Sequence, residues 1–291
     1  MIFKSLKEKY HYYRNLTDYR LLPNGYIMVM LDGRSFSKKI KNNFKRPFDE
    51  TFIKLMNETA KYVCEKVSGC KLAYVQSDEI NLVLYDDFEK DPFFSNRLCK
   101  LQSIIASIAT SKFNQLAIIE ALKNNNCSKY GVINMIANSS LYEFDCKVWN
   151  VPNVNDAFAG ILYRQNDCVR NSKEAVAQNY FSHKTLHAKK TEEQIELVKE
   201  YFGVNWYDDF TRGEQYGRVV IRHKIKYSSL GENLSAHERD ESNIHEALPF
   251  NVEKNRTEFV KYLSNDENNL FKILVRNDEC ITQFELFLAH I

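Results

Sequence analysis

Little in this 291-residue chain marks it as anything but a folded domain: nine Gly and five Pro exclude collagen-like and low-complexity architectures. No apolar run approaches the roughly 20 residues that a membrane helix requires, and the opening stretch MIFKSLKEKYHYYR lacks a signal-peptide apolar core and cleavage site, so no membrane partner is expected. Cysteine is odd in number and scattered. The seven, at 64, 70, 99, 127, 146, 168 and 280, contain no C-x-x-C spacing, which argues against a disulfide framework and against a structural zinc site. They read as small buried hydrophobes in a reducing compartment, expected to be the cytoplasm, with an organellar matrix as the alternative. No Ser/His/Asp or Cys/His order recommends nucleophilic catalysis, and the seven His lack the spacing of zinc ligands. An excess of one charge is missing too, since 40 Lys and Arg face 38 Asp and Glu, a formal +2.

Hydrophobics at 44% and charged residues at 27% are ordinary for a folded protein, and the length is ample for a core without staples. The near-neutral total hides a gradient. Residues 1–46 carry eleven basic side chains against three acidic ones, whereas residues 223–291 carry eight against twelve.

Residues 1–20 read as a charged, aromatic helix ended by the turn chemistry of Pro23-Asn24-Gly25. Tyr26 to Leu31 is a continuous apolar run of strand length, the mark of a strand covered on both faces, and it stops at Asp32-Gly33. Asp49 is placed to cap a helix over 50–68, with Phe52, Leu55, Met56, Ala60 and Val63 at helical spacing. Strands at 71–76 and 80–85 flank Ser77-Asp78-Glu79, which puts two carboxylates at a hairpin tip. A second long helix over 93–122 and a strand over 142–151 complete the order βαββαβ. That predicts an α+β fold, an antiparallel sheet with the helices of this unit on one face, followed by a helical C-terminal part. Further helices are expected at 153–178 and 191–202, a short strand at 218–221, a turn at Ser228–Asn233 and helical patches at 256–263 and 280–290.

The most informative constellation is Asp32 at the end of a buried strand with Asp78 and Glu79 at the hairpin tip. Adjacent central strands bring them together, and clustered carboxylates repel unless divalent cations sit among them. An Asp after a strand is also a common turn residue or helix cap, and Asp-Glu at a hairpin tip is often merely solvated; spacing alone leaves both readings open. Gly33-Arg34-Ser35-Phe36-Ser37 directly follows Asp32, and such a turn lets backbone N–H groups converge on an anion, though an ordinary tight turn accounts for it as well. Lys38, Lys39, Lys41, Lys45 and Arg46 are phosphate partners or a solvated loop. Arg97 and Lys100 stand three apart on one helical face. Arg164, Gln165, Asp167, Arg170 and Asn171 crowd hydrogen-bonding groups into a few helical turns, with His183-Lys184 a weaker case; a polar face is the usual explanation, but this mixture leans toward contacts with RNA or nucleotide.

Six segments, in order and at matching intervals, carry a resemblance: Met30 to Phe36, Arg46 to Asp49, Leu55 to Asn57, Ala73 to Glu79, Phe144 to Val148 and Arg164 to Asp167. Together they resemble the tRNA(His) guanylyltransferase superfamily, and more closely its bacterial-type guanylyltransferase-like members, the reverse polymerases, over roughly residues 10–224. The resemblance implies a nucleotidyltransferase that adds nucleotides 3′ to 5′ at the 5′ end of tRNA, with two Mg2+ ions, ATP and GTP as substrates, and a homotetramer or dimer of dimers. It also implies a palm-like catalytic domain at 1–140, the C-terminal part of the family core at 141–225 and an additional extension at 226–291. It further implies Asp32 and Asp78 as metal ligands with the Gly33 carbonyl, and Glu79 as a supporting carboxylate. Gly33, Arg34, Ser35, Phe36, Ser37, Arg46, Asp49, Ser77, Arg97, Lys100 and Lys147 become nucleotide contacts, and Arg164, Gln165, Asp167, Arg170, Asn171, His183 and Lys184 become RNA contacts. The chain departs from the eukaryotic pattern after Asp167, where Arg170-Asn171-Ser172 and Phe181 to Lys184 resemble the template-dependent 5′-end repair enzymes. Guanylate addition to tRNA(His) and a nucleotide cyclase on the same scaffold are the alternatives, because fold does not fix function.

Overall fold

The computed structural model describes residues 3–23, 25–85, 91–124, 141–227 and 237–246. In chain order they form α1 (Leu6–Asn15), β1 (Tyr26–Gly33), α2 (Phe36–Asn43), α3 (Glu50–Lys66), β2 (Cys70–Gln76), β3 (Glu79–Leu84), a short turn at Phe93–Asn96, α4 (Leu98–Asn124), β4 (Phe144–Val151), α5 (Val154–Tyr180), α6 (His183–Leu186), α7 (Thr191–Phe202), α8 (Arg212–Tyr216), β5 (Arg218–Tyr227) and β6 (His237–Glu246). The strands make one sheet in the order β4-β1-β3-β2-β5-β6, every neighbouring pair antiparallel. Strand β1 is thus central in the βαββαβ unit, between β3 and β4.

Because successive side chains of a strand face opposite ways, β1 serves two cores. Ile27, Val29 and Leu31 pack with Leu55, Met56 and Val63 of α3 and Leu101, Ile105 and Phe113 of α4. Tyr26 and Met28 join Leu72 and Tyr74 of β2 and Ala157, Phe158 and Ile161 of α5 on the other side. The two helices of the βαββαβ unit share one face, as the pattern predicts, and α5 from the C-terminal part covers the other. A third core joins Val176 and Ala177 of α5 to Leu186, Ile195, Val198 and Trp206.

The expected cap is present: Asp49 Oδ1 accepts from the Phe52 N–H at 2.9 Å and Oδ2 from the Lys45 N–H at 2.8 Å, so one carboxylate starts α3 and closes the loop before it. The first helix, expected over residues 1–20, spans only Leu6–Asn15. Three further departures stand out. Residues 36–43, read as a lysine loop, form α2, because Phe36 and Ile40, one helical turn apart, anchor it to the core. Helix α4 begins at Leu98 rather than 93, since Phe94, Ser95 and Asn96 all have left-handed backbones (φ 51°, 51° and 56°). That turn is tied elsewhere: the Leu21 N–H donates to the Asn96 carbonyl (2.9 Å) and the Leu98 N–H to that of Tyr19 (2.9 Å). Strand β5 runs on to Tyr227 and pairs with β6, whose polar sequence HERDESNIHE has no apolar alternation to announce it. The turn and helical patches expected beyond Ser228 lie outside the described residues. Among the described residues no helix is long and apolar enough to cross a membrane.

Candidate nucleotidyl-transfer site

Near the end of β1, Asp32 stands opposite Glu79 of β3 on one side and Asp145 of β4 on the other. Directly opposed residues share a face, so the three carboxylates form a row across the sheet, on the side that α5 covers further along. The hairpin turn is pinned to the same spot, because the Gly33 N–H donates to the Asp78 carbonyl at 3.1 Å. Two segments 46 positions apart in the chain are thereby joined through backbone atoms. Ser77, with φ 43°, makes that turn tight enough for Asp78 to reach the row.

Asp145 is exposed, but Asp32 and Asp78 are poorly solvated. Burial pushes the Asp78 carboxyl up to about 6, with the charges of Asp32 and Glu79 adding to it and hydrogen bonds opposing it. Asp32 is raised by burial, then by Asp145 and Glu79, against relief from Lys147. Glu79 is treated differently. Arg164 of α5 donates from Nε to Oε1 (2.6 Å) and from Nη2 to Oε2 (2.5 Å), and Asn81 Nδ2 donates to Oε1 at 2.5 Å. Arg164 Nη1 also bonds Asp167 (2.8 Å), which in turn pairs with Arg170 (2.9 Å).

Among the described residues no ion pair reaches Asp32 or Asp78, and no group of three or more His, Cys, Asp or Glu side chains is arranged to hold a metal ion. This donor set suits Mg2+, which binds through one or two carboxylates and completes its shell with water and substrate phosphates. Asp32 and Asp78, poorly solvated and relieved only in part by Lys147 beside Asp32, would be stabilised by such an ion. Glu79, with both oxygens on Arg164, serves instead as an anchor between β3 and α5.

Beside the row, the β1–α2 turn is shaped by contact rather than by unusual dihedral freedom at its glycine. A Cβ on Gly33 would lie 2.5 Å from Cγ of Phe36, whose ring is fully buried against Phe52, Phe113, Tyr142 and Phe144. Helix α2 follows Ser35 (φ 58°) with no side-chain cap and no acidic residue in its first turn, an N-terminus electrostatically suited to an anion. Arg34 is exposed and paired with Glu143 at 3.2 Å, and Ser37 is exposed.

The other expected contacts are distributed as follows. Arg46 is exposed on the loop that Asp49 closes, and both Asp49 oxygens are spent on backbone. Arg97 is held by Asp18 (Nε to Oδ1, 2.7 Å), and Lys100 lies over the Phe94 ring at 5.4 Å. Lys147 is exposed on β4, two residues from Asp145 and on the same face. Gln165 faces inward at 2% exposure and donates to the Tyr216 carbonyl at 3.3 Å, whereas Arg170 and Asn171 are exposed. His183 and Lys184 are exposed on α6 and make no hydrogen bond or ion pair to the acidic row among the described residues. Sequence reasoning passed over Asp145 and Asn81. The pleat parity of Asp145 and Lys147 was the signal available for the first.

A protein-family model for tRNAHis guanylyltransferase matches residues 7–152, half of the chain and all of the β1–β4 unit that carries the acidic row. The chain belongs to the tRNA(His) guanylyltransferase family. Membership makes it a nucleotidyltransferase by class. It is 39% identical over 110 residues to the tRNA(His) guanylyltransferase of Candida glabrata, a match covering 37% of this chain and 45% of that one. An uncharacterized protein of Acanthamoeba polyphaga mimivirus is 26% identical over 228 residues, covering 75% and 77%. Among solved structures, a bacterial tRNA(His) guanylyltransferase-like protein in complex with ATP superposes with a TM-score of 0.66 at 27% identity, covering 75% of this chain and 88% of that one.

Proposed function

We propose that this protein extends the 5′ end of tRNA in the 3′-to-5′ direction, choosing each nucleotide by pairing with the opposite strand, and so repairs 5′-truncated tRNA. The observation that carries this reading is the joining of Asp32 and Asp78 by the Gly33–Asp78 backbone hydrogen bond, beside the uncapped start of α2. Two carboxylates that no ion pair reaches among the described residues, next to an anion-accepting helix terminus, are what a nucleoside triphosphate and its cations require.

In the reaction a 5′-monophosphate end attacks the α-phosphorus of ATP and expels pyrophosphate, leaving an adenylylated end. The 3′-hydroxyl of the incoming nucleotide then attacks the RNA's 5′-phosphorus, loses its proton and expels AMP, or pyrophosphate where the end is already a triphosphate. Mg2+, when bound, supplies charge neutralisation and lowers the pKa of the attacking hydroxyl. Asp32, Asp78 and the Gly33 carbonyl hold the ions. Backbone N–H groups from Arg34 to Ser37, with Arg46, receive one triphosphate; Ser77, Arg97, Lys100 and Lys147 receive the second nucleotide. Arg170, Asn171, His183 and Lys184 contact the RNA, and the working assembly is a homotetramer or dimer of dimers. The switch from the eukaryotic pattern after Asp167 favours repair over a single guanylate addition to tRNA(His).

The test is incorporation of labelled nucleotides into several tRNAs lacking their first residue, followed by sequencing of the 5′ ends. Repair predicts extension that follows the opposite base and stops at full length. Addition of G to tRNA(His) alone, whatever base it faces, overturns repair in favour of the tRNA(His) reaction; cyclic product from nucleotide without RNA overturns both.

A further inference from the structure

Among the described residues, helix α1 contributes to no core: none of its residues is buried. It nevertheless presents an ordered surface. Leu6, Tyr10 and Tyr13 recur at helical spacing along one row, exposed by 76%, 67% and 48%, with the two tyrosines edge to face at 6.2 Å. Lys7, His11 and Arg14 recur one position later, so an exposed basic row runs directly beside the apolar one. Over residues 4–20 five Lys and Arg oppose two acidic side chains, and one of those two, Asp18, is already bonded to Arg97. A self-complementary protein interface gains nothing from such an excess of one sign. A polyanion with exposed aromatic faces gains from both rows.

The root of the helix fixes where such a ligand would lead. Immediately after α1, Asp18 binds Arg97, Arg20 Nη1 donates to the Ser95 carbonyl at 3.1 Å, and the Leu98 N–H donates to the Tyr19 carbonyl. The segment is therefore strapped to the start of α4, beside Arg97 and Lys100.

We infer that α1 is a docking surface for RNA, with Tyr10 and Tyr13 stacking on unpaired nucleotides and Lys7 and Arg14 neutralising phosphates, and that it guides the RNA end toward Arg97 and Lys100. This rests on the proposed RNA reaction and adds to it the surface that receives the substrate outside the acidic row.

The experiment measures binding of a fluorescent 5′-truncated tRNA to the full chain and to Lys7→Glu/Arg14→Glu and Tyr10→Ala/Tyr13→Ala variants at several salt concentrations. The charge reversal should weaken binding at least about tenfold and flatten the log–log salt slope by one to two. The tyrosine variant should weaken it by a similar factor with the slope unchanged. Both should keep the wild-type melting temperature and mass in solution. Wild-type affinity in either variant overturns the inference, and so does a change in oligomeric mass, which would make α1 an interface between copies. If the variants lose RNA binding while the wild type adds no nucleotide, the surface stands and the reaction falls. If the wild type adds nucleotides and the variants bind normally, the reaction stands and the surface falls.

Discussion

Arg164 closes on Glu79 with two prongs, Nε on Oε1 and Nη2 on Oε2, so that a helix over one face of the sheet is clipped to the strand that borders the acidic row. Both side chains are largely withdrawn from solvent, at 16% and 9% exposure. Removing the guanidinium alone leaves Glu79 buried without a cation and adds a third unpaired charge next to Asp32 and Asp78. Arg164→Ala should cost about 2–4 kcal/mol in urea unfolding. An Arg164→Met/Glu79→Gln double variant should recover much of that loss; equal losses in single and double variants would show the pair to be incidental.

Asp78 gives a pH dependence of defined sign. Its carboxyl is pushed up to about 6 in the folded protein, above its ordinary value, so the unfolded chain releases the proton more readily. The penalty is absent below the ordinary carboxylate range, grows as pH rises toward 6 and is complete above it. In the presence of EDTA, Asp78→Asn should therefore stabilise the protein at pH 7.5 by up to about 2 kcal/mol and have little effect at pH 4. Thermal melts at the two pH values check this. Added Mg2+ should raise the wild-type melting temperature at pH 7.5 and leave that of the variant unchanged, and nucleotide addition by the variant should be lost.

Gly33→Ala tests the turn. The new methyl group meets the Phe36 ring, which is fully buried and has no open side to move into. Overpacking of this kind costs about 1–3 kcal/mol. Pairing it with Phe36→Leu should return part of the stability, and nucleotide affinity should fall in the single variant because the start of α2 is displaced. A single variant with wild-type melting temperature would refute the contact.

The Asp18–Arg97 pair separates binding from turnover. Arg97 holds Asp18 below the usual carboxylate range, chiefly through their hydrogen bond, so the pair is intact above that range and weakens as pH falls through it. Asp18→Asn should raise the KM for the incoming nucleotide roughly three- to tenfold with little change in kcat, the pattern of a lost orienting contact. An unchanged KM would remove Asp18 from the positioning of Arg97.

Much of this arrangement was legible in the residues themselves. The apolar run before Asp32, the cap at Asp49 and the Ser77-Asp78-Glu79 turn each follow from short-range chemistry, and together they yield the βαββαβ order and the meeting of Asp32 with Asp78. What escaped depended on partners distant in the chain. Helix α2 exists because Phe36 finds an aromatic pocket drawn from α3, α4 and β4, and the late start of α4 reflects bonds to the segment at 19–21. Gln165 falls on the helical stripe of Phe158, Ile161 and Cys168, which its exposed neighbour Asn166 does not share, but its partner, the Tyr216 carbonyl, lies 51 residues away and is marked by no local signal. Asp145 entered the row through strand register, which no single segment encodes.

The Gly33–Asp78 contact is made by the main chain alone, so no side-chain loss at position 32 or 78 dissolves it. The architecture of the turn is therefore separable from the two carboxylates. A chain carrying Asp78→Asn is expected to keep this backbone, so that any change it shows in cation or nucleotide binding is attributable to the lost charge and not to a displaced turn.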